Sequence, residues 1–141
     1  MNSHTTGFTL VELMVVLLVL ALGSSIVLVN MRSSLHSSLD TEAHRLQAIL
    51  ENARAQARTR HTSLTWQSDA TGFTVSPAND ASVVLERMPW LASGTFSEPD
   101  SLSINAEPVQ PPMRLTLRHA DLPRATWVLE TNGVGSFAWK P

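Results

Sequence analysis

The chain has 141 residues with ten basic and twelve acidic side chains, a net charge of −2, and no cysteine. This length fits one domain of ordinary size, and the absence of cysteine excludes a disulfide framework and a thiolate metal site. Residues 61–141 carry five basic and eight acidic side chains, a sum of −3. That part of the chain therefore lacks the basic footprint of a nucleic-acid-binding protein.

The N-terminal part of the chain is dominated by one apolar segment. Leu13–Val29 forms an aliphatic run about as long as a membrane requires. It follows Gly7-Phe8-Thr9-Leu10-Val11-Glu12, in which Glu12 is the one carboxylate. A charged side chain within hydrocarbon costs roughly 2.5–3.5 kcal/mol or more, so an acid at this place indicates a function.

Three interpretations of this segment compete. A cleaved secretory signal peptide would use Ala21-Leu22-Gly23 as its cleavage site, but Met1–Gly7 contains no Lys or Arg and apolar residues resume at Ile26. A plain signal anchor would leave Glu12 without a role. The third interpretation is a leader that a dedicated peptidase removes.

The third interpretation depends on the residues around Gly7. A glycine, a phenylalanine directly after it and a glutamate five places after it precede an unbroken apolar segment. The pattern resembles the class III leader of type IV pilins and type II secretion pseudopilins. The resemblance implies a prepilin leader over residues 1–7, cleavage between Gly7 and Phe8, N-methylation of Phe8, and a transmembrane or fibre-core helix over residues 8–31. The missing Lys or Arg before Gly7 departs from the usual leader, so the orientation depends on the resemblance and not on loop charge.

Glu12 has a physical role in this interpretation. Cleavage would leave Phe8 with a cationic amine among apolar helices. A carboxylate one helical turn further on can neutralise such an amine on a neighbouring subunit and set the axial register of a fibre, which is the role that the pilin family gives this glutamate. The attraction is strong where water is scarce, and a missing partner is correspondingly costly.

Residues 32–60 are predicted to continue the helix as an amphipathic stalk, because no proline occurs before Pro77. Apolar residues recur at spacings of three and four and form a stripe on one face. The stripe consists of Leu35, Leu39, Ala43, Leu46, Leu50, Ala53 and Ala57. We expect its last four members to pack on the chain's own domain. The basic residues Arg54, Arg58 and Arg60 suit a helix C-terminus. The segment Leu46–Ala57, through its residues Leu50-Glu51-Asn52-Ala53-Arg54-Ala55-Gln56-Ala57, resembles the L-x-x-A-R-x-x-A segment of GspH/FimT-type minor pseudopilins and pilins, in which a β-strand follows directly.

Residues 61–141 are predicted to form an antiparallel β domain of about six to eight strands. Leu64 and Trp66 alternate with polar residues, and Phe73 and Val75 alternate in the same way after the turn 68–72. Two alternating segments on either side of a turn predict a hairpin. A strand is expected over Val83–Arg87, ended by Pro89, and a surface loop is expected over residues 89–112, with one short strand at Leu102–Ile104. A further strand is expected to contain Met113, Leu115 and Leu117. The last feature is a hairpin across Asn132-Gly133, which pairs Trp127 and Leu129 with Phe137 and Trp139. The four tryptophans with Phe73, Phe96 and Phe137 are the expected bulk of the core.

Enzymatic and metal-binding functions find little support in the sequence. There is no G-x-S-x-G, and His61 and His119 are expected at the surface. Lys140 is the single lysine, and no phosphate-binding G-x-x-x-x-G-K-[ST] occurs. His36 and His44 lie eight places apart on the predicted helix without a third ligand, whereas Asp69 and Asp80 are interpreted as turn residues outside any calcium-binding loop. We predict no enzymatic activity, no cofactor and no metal.

The resemblance implies an α+β, pilin-like fold, in which the C-terminal half of a long hydrophobic N-terminal helix packs on an antiparallel β domain. It further implies a minor pseudopilin near the tip of the type II secretion pseudopilus, in the bacterial inner membrane with its C-terminal domain in the periplasm. The partners would be the prepilin peptidase, the major and tip pseudopilins and the inner-membrane secretion platform. The alternative is a FimT-like minor pilin acting in pilus assembly or DNA uptake. We prefer secretion, because Glu130–Pro141 offers only Lys140 as a cation for DNA.

Overall fold

The computed structural model describes the backbone of residues 9–140 and the side chains of residues 9–22 and 32–140. The contacts divide the chain into two compact units, Met1–His36 and Ser37–Pro141. Within the described residues, the first unit consists of the N-terminal part of helix α1 (Leu10–Arg60). The second contains the C-terminal part of α1, followed by eight strands.

Both ends of α1 are capped by local hydrogen bonds. The backbone N–H of Glu12 donates to Thr9 Oγ1 at 3.3 Å, so Thr9 is the N-cap. At the other end, the N–H of Thr62 donates to the carbonyl of Ala57 and that of His61 donates to the carbonyl of Arg58. These two bonds form a Schellman motif, in which His61 adopts the left-handed conformation with φ of 51°. The helix therefore ends sharply, and the first strand begins a few residues later.

The eight strands form two four-stranded antiparallel sheets. The first sheet has the order β3-β2-β1-β5, and the second has the order β4-β6-β7-β8. The strands are β1 (Leu64–Ser68), β2 (Gly72–Pro77), β3 (Glu86–Pro89), β4 (Thr95–Glu98), β5 (Ser101–Ile104), β6 (Met113–His119), β7 (Trp127–Thr131) and β8 (Ala138–Lys140).

Alternation along the strands places one face of each sheet in the core of the second unit. Trp66 of β1 and Val75 of β2 lie opposite each other and are buried, as are Leu115 of β6 and Leu129 of β7. The helix contributes the stripe that its 3.6-residue period aligns: Leu39, Ala43, Leu46, Leu50, Ala53 and Ala57 are all buried. The predicted hairpin β1–β2, the strand β6 and the pairing of Leu129 with Trp139 are confirmed.

Several strand predictions are wrong in detail. The strand expected at Val83–Arg87 is observed as Glu86–Pro89, and Val83 is exposed before it. The predicted loop 89–112 contains β4 in addition to β5. Thr95 and Ser97 are the buried residues of β4. This strand was missed because its inward side chains are small and polar, so it lacks an apolar alternation.

Two predicted environments are also corrected. Phe96 was expected in the core, but it is 40% exposed because it alternates with the inward Thr95 and Ser97. His119 was expected at the surface, but it is 2% exposed because it occupies the last inward position of β6. Phe137 is buried as expected, although it precedes β8 instead of pairing within it.

Candidate functional site

The predicted processing site lies at the N-terminal limit of the structure. Gly7 and Phe8 are outside the described residues. Glu12 lies in the first turn of α1, where its exposed carboxylate has no ion-pair partner among the described residues. A negative charge at this end of a helix is favourable, because the helix dipole places partial positive charge there.

The side chains that surround Glu12 are apolar and exposed. They are Leu10, Val11 and each residue from Leu13 to Leu22. Among the described residues, no helical stretch combines the length and the apolar character that crossing a membrane requires. The predicted segment 8–31 lies partly outside the described residues, because Phe8 is not described and the side chains of residues 23–31 are not.

The four residues predicted to pack on the β domain are all buried in the second unit. Leu46, Leu50 and Ala57 are fully buried, and Ala53 is 3% exposed. The two alanines reduce the bulk of the side chains on this face. The stripe thus provides apolar contact, and the polar residues that flank it provide the specific hydrogen bonds.

The most extensive of these polar contacts centres on Arg54, which is 3% exposed. Its guanidinium donates to the carbonyl oxygens of Gly135 (Nη1, 2.8 Å) and Gly133 (Nη2, 3.2 Å) and lies 5.5 Å from the centre of the Phe137 ring. Glu51, one turn earlier, accepts a hydrogen bond from the N–H of Phe137 at 2.6 Å. The two helix residues therefore hold the loop between β7 and β8 against α1.

The same loop also fits closely against the segment before β6. Gly133 has φ of 88°, and a Cβ at this position would lie 1.8 Å from the carbonyl oxygen of Gln110. The N–H of Gln110 donates to the carbonyl of Gly133 at 3.2 Å. Asn132 closes the turn, because its Oδ1 accepts hydrogen bonds from the N–H groups of Val134 and Gly135. The predicted Asn-Gly turn signal is therefore observed within a longer loop, whose shape depends on contacts outside the hairpin.

A second polar cluster joins α1 to the segment after β3. Glu42 is 1% exposed, and its Oε2 accepts a hydrogen bond from the N–H of Leu91 at 2.7 Å. Arg45 Nη1 lies 3.4 Å from both carboxylate oxygens, but only Oε2 has hydrogen-bond geometry. The buried Oε1 receives no hydrogen bond from the described residues. Burial raises the pKa of the Glu42 carboxyl, and the Leu91 hydrogen bond and the Arg45 charge offset this only in part.

A third cluster joins α1 to the last two strands. The indole N–H of Trp127 donates to Asp40 Oδ1 at 2.6 Å. The rings of His44 and Trp139 meet edge to face, with 6.4 Å between their centres. Gln47 adds a hydrogen bond from its amide nitrogen to the carbonyl of Phe137 at 2.7 Å. Three successive turns of the helix therefore contact the C-terminal hairpin.

The residues considered for catalysis are placed in structural roles. The Nδ1 atom of His119 accepts a hydrogen bond from the N–H of Asp121, and its Nε2 atom lies 2.9 Å from the carbonyl oxygen of Ser93. Both ring nitrogens therefore have a hydrogen-bond partner. His61 caps α1. Asp69 and Asp80 lie in turns as predicted, where hydroxyl donors from Thr71 and Ser82 respectively lower the pKa of each carboxyl. The part of the chain that the structure describes holds no group of three or more potential metal ligands.

Comparison with known proteins agrees with this architecture. Residues 2–28 match the prokaryotic N-terminal methylation motif. The type IV minor pilin FimU of Pseudomonas aeruginosa, solved in two crystal forms, shares the fold. The first crystal form is 15% identical in sequence, with a TM-score of 0.58, and the match covers 75% of this chain and 90% of the FimU chain. The second is 14% identical, with a TM-score of 0.53, and the match covers 72% of this chain and 92% of the FimU chain. No curated protein sequence matches the chain.

The chain has a pilin-like fold. The predicted pilin-like α+β class is thereby confirmed. Within this fold, the apolar periodicity does not identify Asp40, Glu42 and Glu51 as contact residues, and the helix dipole accounts for Arg54 only as a cation near the helix C-terminus. The available signal was position: all four lie within one residue of the apolar stripe. Arg58, beside Ala57, shares this position and is nevertheless exposed, so the position alone does not separate a buried charge from an exposed one.

Proposed function

We propose that the chain is a non-enzymatic minor subunit of a type IV pilus-like fibre. In this proposal the N-terminal segment anchors the chain in the bacterial inner membrane and later lies in the fibre core. The β domain lies on the periplasmic side. The N-terminal methylation motif over residues 2–28 carries the proposal, and the pilin-like fold supports it independently. The described polar clusters act as structural contacts between α1 and the β domain.

The proposed processing step is cleavage between Gly7 and Phe8 by a prepilin peptidase, followed by N-methylation of Phe8. Replacing Gly7 with a larger residue should block shortening of the chain while leaving its membrane association intact. The measurement is gel mobility and intact mass in cells with and without the peptidase. A Gly7 variant that is still shortened only when the peptidase is present would place the cleavage site elsewhere.

We propose that Glu12 pairs with the Phe8 amine of a neighbouring subunit. The carboxylate is surrounded by exposed apolar side chains and has no ion-pair partner among the described residues, so an assembled fibre must supply a cation or leave the charge desolvated. Phe8 precedes Glu12 by four residues, about one helical turn. The pairing would set the axial offset between adjacent subunits.

Glu12→Gln tests this role, because it removes the charge and keeps the shape of the side chain. We expect an about tenfold or greater loss of co-fractionation with partner subunits, equivalent to ~1.4 kcal/mol or more. Unfolding of the β domain should be unchanged. Glu107→Gln, which makes the same charge change at an exposed loop position, is the matched control. Normal co-fractionation of the Glu12 variant would rule out the pairing.

Two kinds of fibre remain as proposals, and each has its own observation. A minor pseudopilin of the type II secretion pseudopilus, in the manner of GspH, is favoured by the −3 charge of residues 61–141, which opposes DNA binding. Its partners would be the major pseudopilin, the tip subunits and the secretion platform. A minor pilin acting in pilus assembly or DNA uptake, in the manner of FimT, is favoured by the likeness to the minor pilin FimU.

Deletion of the gene in its host distinguishes the two proposals. Loss of protein export with pili intact would support the pseudopilus, whereas loss of surface pili with export intact would support the pilus. Purified protein provides a second measurement: binding to duplex DNA at physiological salt would favour the uptake function. A complemented strain controls for effects on neighbouring genes.

A further inference from the structure

A small surface pocket in the second unit combines tryptophan rings with a carboxylate. It has a volume of about 140 Å³ and is lined by Asp40, Ala43 and His44 of α1 together with Trp127 of β7 and Trp139 of β8. This is well below the roughly 300–1,000 Å³ of typical small-molecule sites. The size suits the end of one side chain better than a nucleotide or a sugar.

Asp40 gives this pocket its negative charge. Its Oδ1 accepts the indole N–H of Trp127, which fixes the orientation of the carboxylate. Asp40 is exposed, and no Lys, Arg or His among the described residues forms an ion pair with it. Lys140, the single lysine of the chain and the neighbour of Trp139, pairs with Glu130 instead. The pocket therefore presents an acid without a cation.

The rings of the pocket favour a cation of a particular kind. Tryptophan is the strongest of the cation–π partners, and a planar guanidinium both stacks on aromatic rings and hydrogen-bonds to a carboxylate. His44 and Trp139 already pack edge to face, so this wall is formed before any ligand binds. An ammonium group lacks the planar stacking surface that a guanidinium offers.

We propose that this pocket binds the guanidinium of an arginine side chain from a partner subunit. That the partner is a fibre subunit rests on the proposed function, whereas the chemistry of the pocket does not. The competing ligand is a hydrogen-bond acceptor, because Trp139 Nε1 is buried without a partner among the described residues. A guanidinium cannot accept that N–H, whereas a neutral urea or amide can. The two ligands are therefore distinguishable.

The test compares two probes that have the same shape. N-acetyl-arginine methylamide and N-acetyl-citrulline methylamide have the same two backbone amides and differ only at the end of the side chain, where the guanidinium is a charged donor and the ureido group is neutral and adds an acceptor oxygen. Each is titrated into the full-length ¹⁵N-labelled protein in non-ionic detergent, and the four tryptophan indole signals are followed by NMR. Trp66 and Trp90 lie outside the pocket and act as internal controls. Tryptophan-to-phenylalanine variants assign the signals.

We expect the arginine probe to shift the signals of Trp127 and Trp139 saturably, with a dissociation constant on the order of millimolar because exposed cation–π contacts and ion pairs are weak. Asp40→Asn keeps an oxygen for the Trp127 hydrogen bond and should weaken binding about two- to fivefold, because it removes one exposed ion pair. Glu107→Gln, on the loop before β6, should not weaken it. Unchanged signals of Trp66 and Trp90 would show that the Asp40 variant is folded.

Three results would overturn the proposal. They are no saturable shift with the arginine probe, equal or tighter binding of the citrulline probe, and unchanged arginine binding by the Asp40 variant. None of these measurements involves fibre assembly. A failed fibre assay and a failed pocket assay therefore refute different statements.

Discussion

The contact between Arg54 and the β7–β8 loop can be tested by removing the guanidinium. Arg54→Met keeps an unbranched apolar side chain of similar length and deletes the hydrogen bonds to Gly133 and Gly135. Hydrogen bonds to charged groups contribute about 1.5–3 kcal/mol each. The lower value applies here, because the carbonyl of Gly133 also accepts the N–H of Gln110 and that of Gly135 also accepts the Thr131 hydroxyl.

The expected loss for Arg54→Met is therefore about 3 kcal/mol in the free energy of unfolding, since two such bonds are removed. The contact with Phe137 adds to this, whereas the ion pair with the partly exposed Glu51 adds little. Arg54→Lys retains the charge but not the fork geometry that reaches two carbonyls, so about half of the loss is expected.

Urea unfolding followed by tryptophan fluorescence measures this loss. All four tryptophans lie in the second unit, so the signal reports on the unit that contains the contact. With a slope of about 1.5 kcal/mol per molar urea, a loss of ~3 kcal/mol moves the midpoint by ~2 M. Arg58→Met is the matched control, because Arg58 makes one exposed 3.3 Å hydrogen bond to the carbonyl of Pro108. A loss below ~1 kcal/mol for Arg54→Met, or one equal to that of the control, would refute the reasoning.

Two further predictions use the same unfolding measurement. Burial raises the folded-state pKa of Glu42 above its ordinary 4.5, so the folded protein holds this proton more tightly than the unfolded chain does. The free energy of unfolding therefore falls as the pH rises from about 4.5 through the raised pKa. Glu42→Gln should remove this part of the decline, and parallel pH profiles of the two proteins would contradict the prediction. Gly133→Ala should lower the free energy of unfolding by about 2 kcal/mol or more, because the left-handed φ and a contact of 1.8 Å with the carbonyl oxygen of Gln110 both oppose a Cβ. Gly135→Ala is the control and should lower it by less than ~1 kcal/mol, because the nearest atom to its Cβ would lie at 3.4 Å. Equal losses for the two variants would contradict the packing described for the loop.

Local patterns in the sequence were sufficient for the helix and for most strands. The three- and four-residue spacing from Leu35 to Ala57 predicted the buried face of α1, because a helix brings residues at that spacing onto one side whatever packs against it; Leu35 alone of these residues is only half-buried. The alternation in Leu64–Ser68 and Met113–His119 predicted β1 and β6 for the equivalent reason at period two. The N-terminal methylation motif is also recognisable without any tertiary contact, since it is a continuous segment of sequence, residues 2–28. Gly7 and Phe8 could therefore be proposed from the sequence alone.

Tertiary structure alone decided which polar residues are buried and what they contact. Arg54 and Arg58 are alike in sequence, yet Arg54 is buried under the β7–β8 loop, which arrives from about eighty residues later in the chain, whereas Arg58 is exposed and contacts Pro108 in the segment before β6. The strand β4 and the burial of His119 escaped prediction for the same reason, since their environments are supplied by the pairing of β4 with β6. Periodicity specifies which side of an element faces inward. Hydrogen bonds between distant segments depend on the register at which the helix, strands and loops pack together. No local sequence pattern encodes that register.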